Sequence, residues 1–199
     1  MRYDEDGTPL VDIDNVNERN AMLDNLFEPP EGLPPFTADM MAEHCKDVLT
    51  RMYAEEGKAD PTFDHEPMLL IAGRGGLTMM AIGQQLNSNE GKDLVMHYAR
   101  ELAQHNAVQY IGMTLNAFTL AVDPKKDMKA QRGEGSLAWH PDRVEIVQVS
   151  IECRDGSHHL LRWEVTRDET STTITPMETT PDDAVLAGRL TGFFKSNQE

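Results

Sequence analysis

The stretch RVEIVQVSIECRDGSHHLLRWEVTR, residues 143–167, constrains the fold more than any other part of the chain. Apolar and polar residues alternate on both sides of an Asp-Gly pair, the pattern of two half-buried antiparallel strands joined by a tight turn. With a three-residue loop at Asp155, Gly156 and Ser157, Val147 faces Val165, Val149 faces Trp163 and Ile151 faces Leu161, so six apolar side chains share one buried face. A two-residue loop sets Val149 against Arg162 and Val147 against Glu164, and burial therefore selects the longer loop.

Other elements follow from the same reasoning. Asn15 with Glu18 forms a capping box for a short helix over 15–27 that carries Leu23, Leu26 and Phe27 on one face. The prolines of EPPEGLPPF then force an extended segment, read as a linker. Thr37 caps a helix reaching Glu56, with Met41, Cys45, Val48, Leu49 and Met52 as its apolar stripe. Residues 68–72 and 77–82 make a hairpin about GRGG, with strands expected at the centre of a sheet. Asn87 and Glu90 open a helix to His105 that turns Leu94, Val95, Tyr98 and Leu102 inward.

Val108–Val122 reads as a long strand whose alternation changes phase, so a bulge or bend is expected near Asn116 and Ala117. Residues 123–138 hold few apolar side chains and read as an exposed loop. A Thr-rich strand is expected at 172–175, and Thr180, Pro181 and Asp183 start a last helix. The order ααββαβββ(β)α, with consecutive strands joined by short turns, predicts an α+β fold: a mainly antiparallel sheet of about five to six strands with helices packed on it. Residues 1–36 form an acidic, Pro-rich extension and 37–199 a single α+β domain.

Charge is unevenly spread. Of the net −16, residues 1–66 contribute −12, from 17 acidic against 5 basic side chains. Such a field disfavours nucleic acid and anionic lipid and attracts a basic protein partner. The start, MRYDEDGTPL, lacks the basic and apolar regions of a signal peptide, and no apolar run is long enough to span a bilayer, which places the chain in the cytoplasm. Two distant cysteines, Cys45 and Cys153, fit free thiols in a reducing compartment.

Residues that could carry chemistry are few. HPDRVE, 140–145, brings His140, Asp142 and Glu145 to the start of a strand, where they could serve as metal ligands or as an acid and base. The structural alternative has Asp142 bonding nearby backbone amides and Arg143 pairing with Glu145 on one strand face. His158 and His159 point to opposite faces, and the hairpin register sets His159 against Cys153, a pair read as buried and hydrogen-bonded. His97, Glu101 and His105 recur at four-residue spacing without an HExxH motif and read as a solvated helix face. GRGGLT lacks the GK[ST] ending of a phosphate loop, and neither GxSxG nor a dinucleotide fingerprint occurs. Lys125, Lys126, Lys129 and Arg132 lack the interleaved aromatics of a nucleic-acid surface.

The run from Val108 through Arg167, with NAFTLAVDP ending the long strand, then HPDRVEIVQV, a DG turn and RWEVTRD, resembles a family of bacterial and phage proteins with a Pro-Asp-Arg-x-Glu strand-leading motif. Members tend to carry an acidic residue and Trp where this chain has Asn116 and Phe118. The resemblance implies a fold and brings no activity with it.

The expectation is a non-enzymatic accessory factor of bacterial or phage origin that binds another protein, with no metal and no cofactor. A metal-dependent or acid/base hydrolase using His140, Asp142 and Glu145, with His159 as a further candidate, is the first alternative. An acidic mimic of nucleic acid is the second.

Overall fold

A computed structural model describes residues 31–120, 140–178 and 192–194, together with Arg2, Tyr3, Pro9, Leu10, Asn17, Leu23, Leu26 and Pro29. The fold is α+β. Strands β1 (Met68–Gly73), β2 (Gly76–Ala81), β3 (Tyr110–Leu120), β4 (Arg143–Cys153), β5 (His158–Arg167) and β6 (Thr172–Pro176) form one antiparallel sheet in the order β2-β1-β3-β4-β5-β6. Helices α1 (Ala38–Glu55) and α2 (Asn89–Ala103) lie on opposite faces.

Alternation along the strands decides which helix each side chain meets. Leu70, Ala72, Val147, Val149, Ile151 and Trp163 face α1 and pack on Met41, Cys45, Leu49 and Tyr53. Leu69, Ile71, Ile111 and Met113 point the other way, onto Val95, Met96, Ala99 and Leu102 of α2. Leu23, Leu26 and Phe193 join this second core, each at most 3% exposed. The acidic extension thus contributes two core side chains, Leu23 and Leu26. The rest of the 15–27 helix, the 123–138 loop and the helix expected from Thr180 lie outside the described residues.

α1 starts where expected, with the Thr37 hydroxyl accepting from the Met40 amide at 3.2 Å. α2 starts one residue later than its capping box suggests. A 3₁₀ turn, Gln85–Asn87, consumes Asn87, and the Ser88 hydroxyl caps the helix by accepting from the Gly91 amide at 2.9 Å. The helix phase turns Val95, Met96 and Ala99 inward and leaves Leu94 61% exposed, contrary to expectation. At its far end Arg154, reaching from the β4–β5 turn, donates to the carbonyls of Ala103, His105 and Val108 at 2.7–2.8 Å. A cation on carbonyls left open by the helix end is favourable in both hydrogen bonding and dipole.

Three further expectations are corrected. The first hairpin is not central as a whole: β1 is flanked on both sides, but β2 stands at the sheet edge. β3 carries no bulge, because its ladder with β4 runs unbroken from Tyr110 opposite Cys153 to Leu120 opposite Arg143. Its apparent phase change marks instead the point beyond Thr114 where β1 no longer pairs with it, so Phe118 is freed from a core role and stands 38% exposed.

The β4–β5 hairpin has a three-residue loop, but its residues are Arg154, Asp155 and Gly156, with the Cys153 amide donating to the Ser157 carbonyl at 2.9 Å. Val147 therefore faces Trp163, Val149 faces Leu161 and Ile151 faces His159, a slip of two from the expected register. The physical reason is Gly156, whose φ of +89° supplies the left-handed residue that closes such a loop. A slip of two preserves the face, so the apolar set stays together, with Leu161 half-buried and the other five buried.

Candidate functional site

Two places stand out by the chemistry they hold: the polar end of the sheet, reached by HPDRVE, and an apolar cleft at the opposite edge.

His140 and its neighbours make a turn. The Asp142 amide donates to His140 Nδ1 at 3.1 Å, and the Arg143 amide donates to the His140 carbonyl at 3.2 Å. Asp142 meets His140 through its backbone, not its carboxylate. The Arg143 guanidinium lies 5.3 Å from the centre of the Phe118 ring, so the expected Arg143–Glu145 pairing gives way to a cation–π contact. Glu145 turns instead to Arg167, accepting from Nη2 at 2.5 Å and Nε at 3.1 Å. The structure thus brings His140 and Asp142 together only as turn elements, and places Glu145 in a bidentate ion pair.

Arg167 organises this end of the molecule. It occupies the core-facing phase of β5, following Trp163 and Val165, and its guanidinium also reaches Asp64 at 2.6 Å. Further bonds run to the carbonyls of Pro61 and Phe63 and to the Thr172 hydroxyl. The hydrogen bond that Arg167 donates to Glu145, followed by the one it donates to Asp64, drives the Arg167 pKa further upward. One side chain ties the 60–65 segment to β4, β5 and β6.

Beside it, His65 is 3% exposed. Burial lowers its pKa to about 4, so the ring is neutral at pH 7. Tyr53, on α1, sets its hydroxyl 3.5 Å from His65 Nδ1, and burial pushes it up to about 12. The Asn116 side chain donates to the His65 carbonyl at 3.0 Å. Among the described residues, His65 Nε2 and Asn116 Oδ1 are both buried without a partner. Sequence reasoning missed this cluster. Only Arg167 left a signal, as a cation standing in an otherwise apolar phase.

The remaining candidates are dispersed. His159 faces Ile151, not Cys153, and its Nδ1 stands 3.7 Å from Asp39. Cys153 pairs with Tyr110, and burial raises its thiol, as it raises that of Cys45 to about 11, so neither is a thiolate at pH 7. His97 and Glu101 approach to 3.5 Å on the exposed face of α2. Among the described residues no three His, Cys, Asp or Glu side chains gather in a group able to hold a metal ion. No helix of the described residues is long and apolar enough to cross a membrane.

The apolar cleft lies between the β2 edge and α2, with a volume of about 240 Å³. Leu69, Met80 and Ile82 line its sheet side, and Leu94, Val95 and Tyr98 its helix side. It exists because α2 turns Val95 onto the sheet while Leu94 stays at the rim. A contiguous apolar recess bordered by a large exposed side chain is where a folded surface has most to gain from contact. The chain matches no protein-family model, no curated protein and no solved structure.

Proposed function

We propose that this chain is a cytoplasmic, non-enzymatic accessory factor of bacterial or phage origin that works by binding another protein. The cleft beneath Leu94 carries the reading. Its volume of about 240 Å³ falls below the roughly 300–1,000 Å³ of small-molecule pockets and suits one large apolar side chain, the kind of anchor that dominates protein interfaces. The net charge of −16 selects a partner whose anchor is flanked by Lys or Arg. The hydrolase alternative is the weaker one, because Glu145 is committed to Arg167 and His140 to its own turn.

The test is a selection of binders to the full chain from random peptides displayed on phage. Selected peptides are expected to share one large apolar residue beside basic ones, to bind more weakly as salt rises, and to lose binding to Leu94→Glu. Peptides that bind Leu94→Glu undiminished would overturn the assignment of the cleft.

A further inference from the structure

We propose that Gly192 and Phe193 form a backbone anion nest whose resident anion is the Glu152 carboxylate, a latch that holds residues 192–194 on the sheet. Glu152 is 5% exposed and sits on β4 on the face that α2 covers, where a charged side chain is costly unless its oxygens are engaged. Among the described residues its oxygens are engaged by backbone: Oε1 accepts from the Gly192 amide at 2.6 Å, and Oε2 from the Phe193 amide at 2.9 Å. Gly192 has φ +77°. A left-handed residue at this point makes successive N–H groups converge, which is the geometry of an anion-binding nest. Charge-assisted bonds of this kind are about twice as strong as neutral ones.

The neighbouring contacts fix what the latch holds. Phe193 enters the core shared with Leu23 and Leu26, at 2% exposure. The Phe194 ring lies 5.1 Å from the Arg154 guanidinium, which also bonds the carbonyls at the end of α2. Across the ladder His158 stands opposite Glu152 at the solvent-facing end of β5. Closure thus places one aromatic ring in the core and a second on the cation that caps α2. Opening removes both rings while leaving the strand ladders of β3, β4 and β5 intact.

Amide hydrogen exchange on the full chain tests this. Glu152→Gln keeps the shape and removes the charge, and it is expected to speed exchange at Gly192 and Phe193 by roughly tenfold or more, with Ile111 and Met113 in the β3 ladder unchanged. Gly192→Ala keeps the carboxylate and strains the nest, and it is expected to give the same local opening. Unchanged exchange at 192 and 193 in Glu152→Gln overturns the latch. If Glu152→Gln unfolds the chain, Gly192→Ala decides: local opening supports the proposal, while global unfolding or no change overturns it.

Discussion

At the end of the sheet where β5 meets β6, Arg167 binds two carboxylates, two carbonyls and a hydroxyl. At the β2 edge, by contrast, Leu94 stands 61% exposed over a cleft lined by apolar side chains. The first region has the residue types of an active site, yet its charged groups satisfy one another, while His65 Nε2 and Asn116 Oδ1 beside them have no partner among the described residues. The second has no reactive group and retains unfilled apolar surface. Charged residues are therefore a poor guide here, because ion pairs that close on one another contribute stability, whereas a binding surface is recognised by what remains uncovered.

The comparison is sharpened first by scale. Trp163→Ala, in the core beneath α1, is expected to cost about 3–5 kcal/mol in denaturant unfolding. Arg167→Ala should approach it at about 2–4 kcal/mol, since it strands Glu145, and the fraction of the guanidinium that is exposed trims the usual cost of breaking a buried pair. A loss below about 1 kcal/mol would show the cluster to be less structural than its geometry requires.

His65 gives the polar end a pH signature. Its folded pKa is about 4, against an ordinary 6.5. Above about pH 6.5 both states are neutral and stability does not depend on this ring. Between about 6.5 and 4 the unfolded chain binds a proton that the folded one refuses, so stability falls as pH drops, by at most about 3 kcal/mol. Below about 4 the effect levels off. Asp168, held down to about 2 first by the Thr170 amide, acts later and in its own window, its contribution lost as pH falls from about 3.8 toward 2. Urea melts of His65→Gln should lack the upper slope; an undiminished slope would place the titrating group elsewhere.

The turn tests the register. Gly156→Ala meets nothing within 4 Å, so its cost is conformational, from a φ of +89°, and should be about 1–2 kcal/mol. A neutral substitution would deny the loop its left-handed residue.

That turn also explains how far the sequence could be read. Burial fixes which side chains share a face, and Val147, Val149, Ile151, Leu161, Trp163 and Val165 were assignable on alternation alone. It cannot separate registers that differ by two, because both bury the same set. Only the residue requiring positive φ decides, and Asp155-Gly156 places it last in the loop, not in the middle. Helix phase was misjudged for a similar reason. Leu94 and Val95 are neighbours about 100° apart, and alternation of apolar residues does not say which one sits at the centre of the buried face; the structure centres it on Val95, Met96 and Ala99. The polar cluster was less legible still, since Arg167 takes partners about a hundred residues away in the 60–65 segment, and no local pattern records such a contact.

The smallest expected effect falls on the cleft. Leu94→Glu, at an exposed position, should change stability by no more than about 0.5 kcal/mol while removing binding of selected peptides.

Backbone chemical-shift mapping of the full chain with one selected peptide tests the central claim most directly. The account predicts shifts concentrated at Leu69, Met80, Ile82, Leu94, Val95 and Tyr98, with His65, His140, Glu145 and Arg167 unmoved. Shifts confined to the second group would contradict it, and would return the polar end of the sheet to the role of functional site.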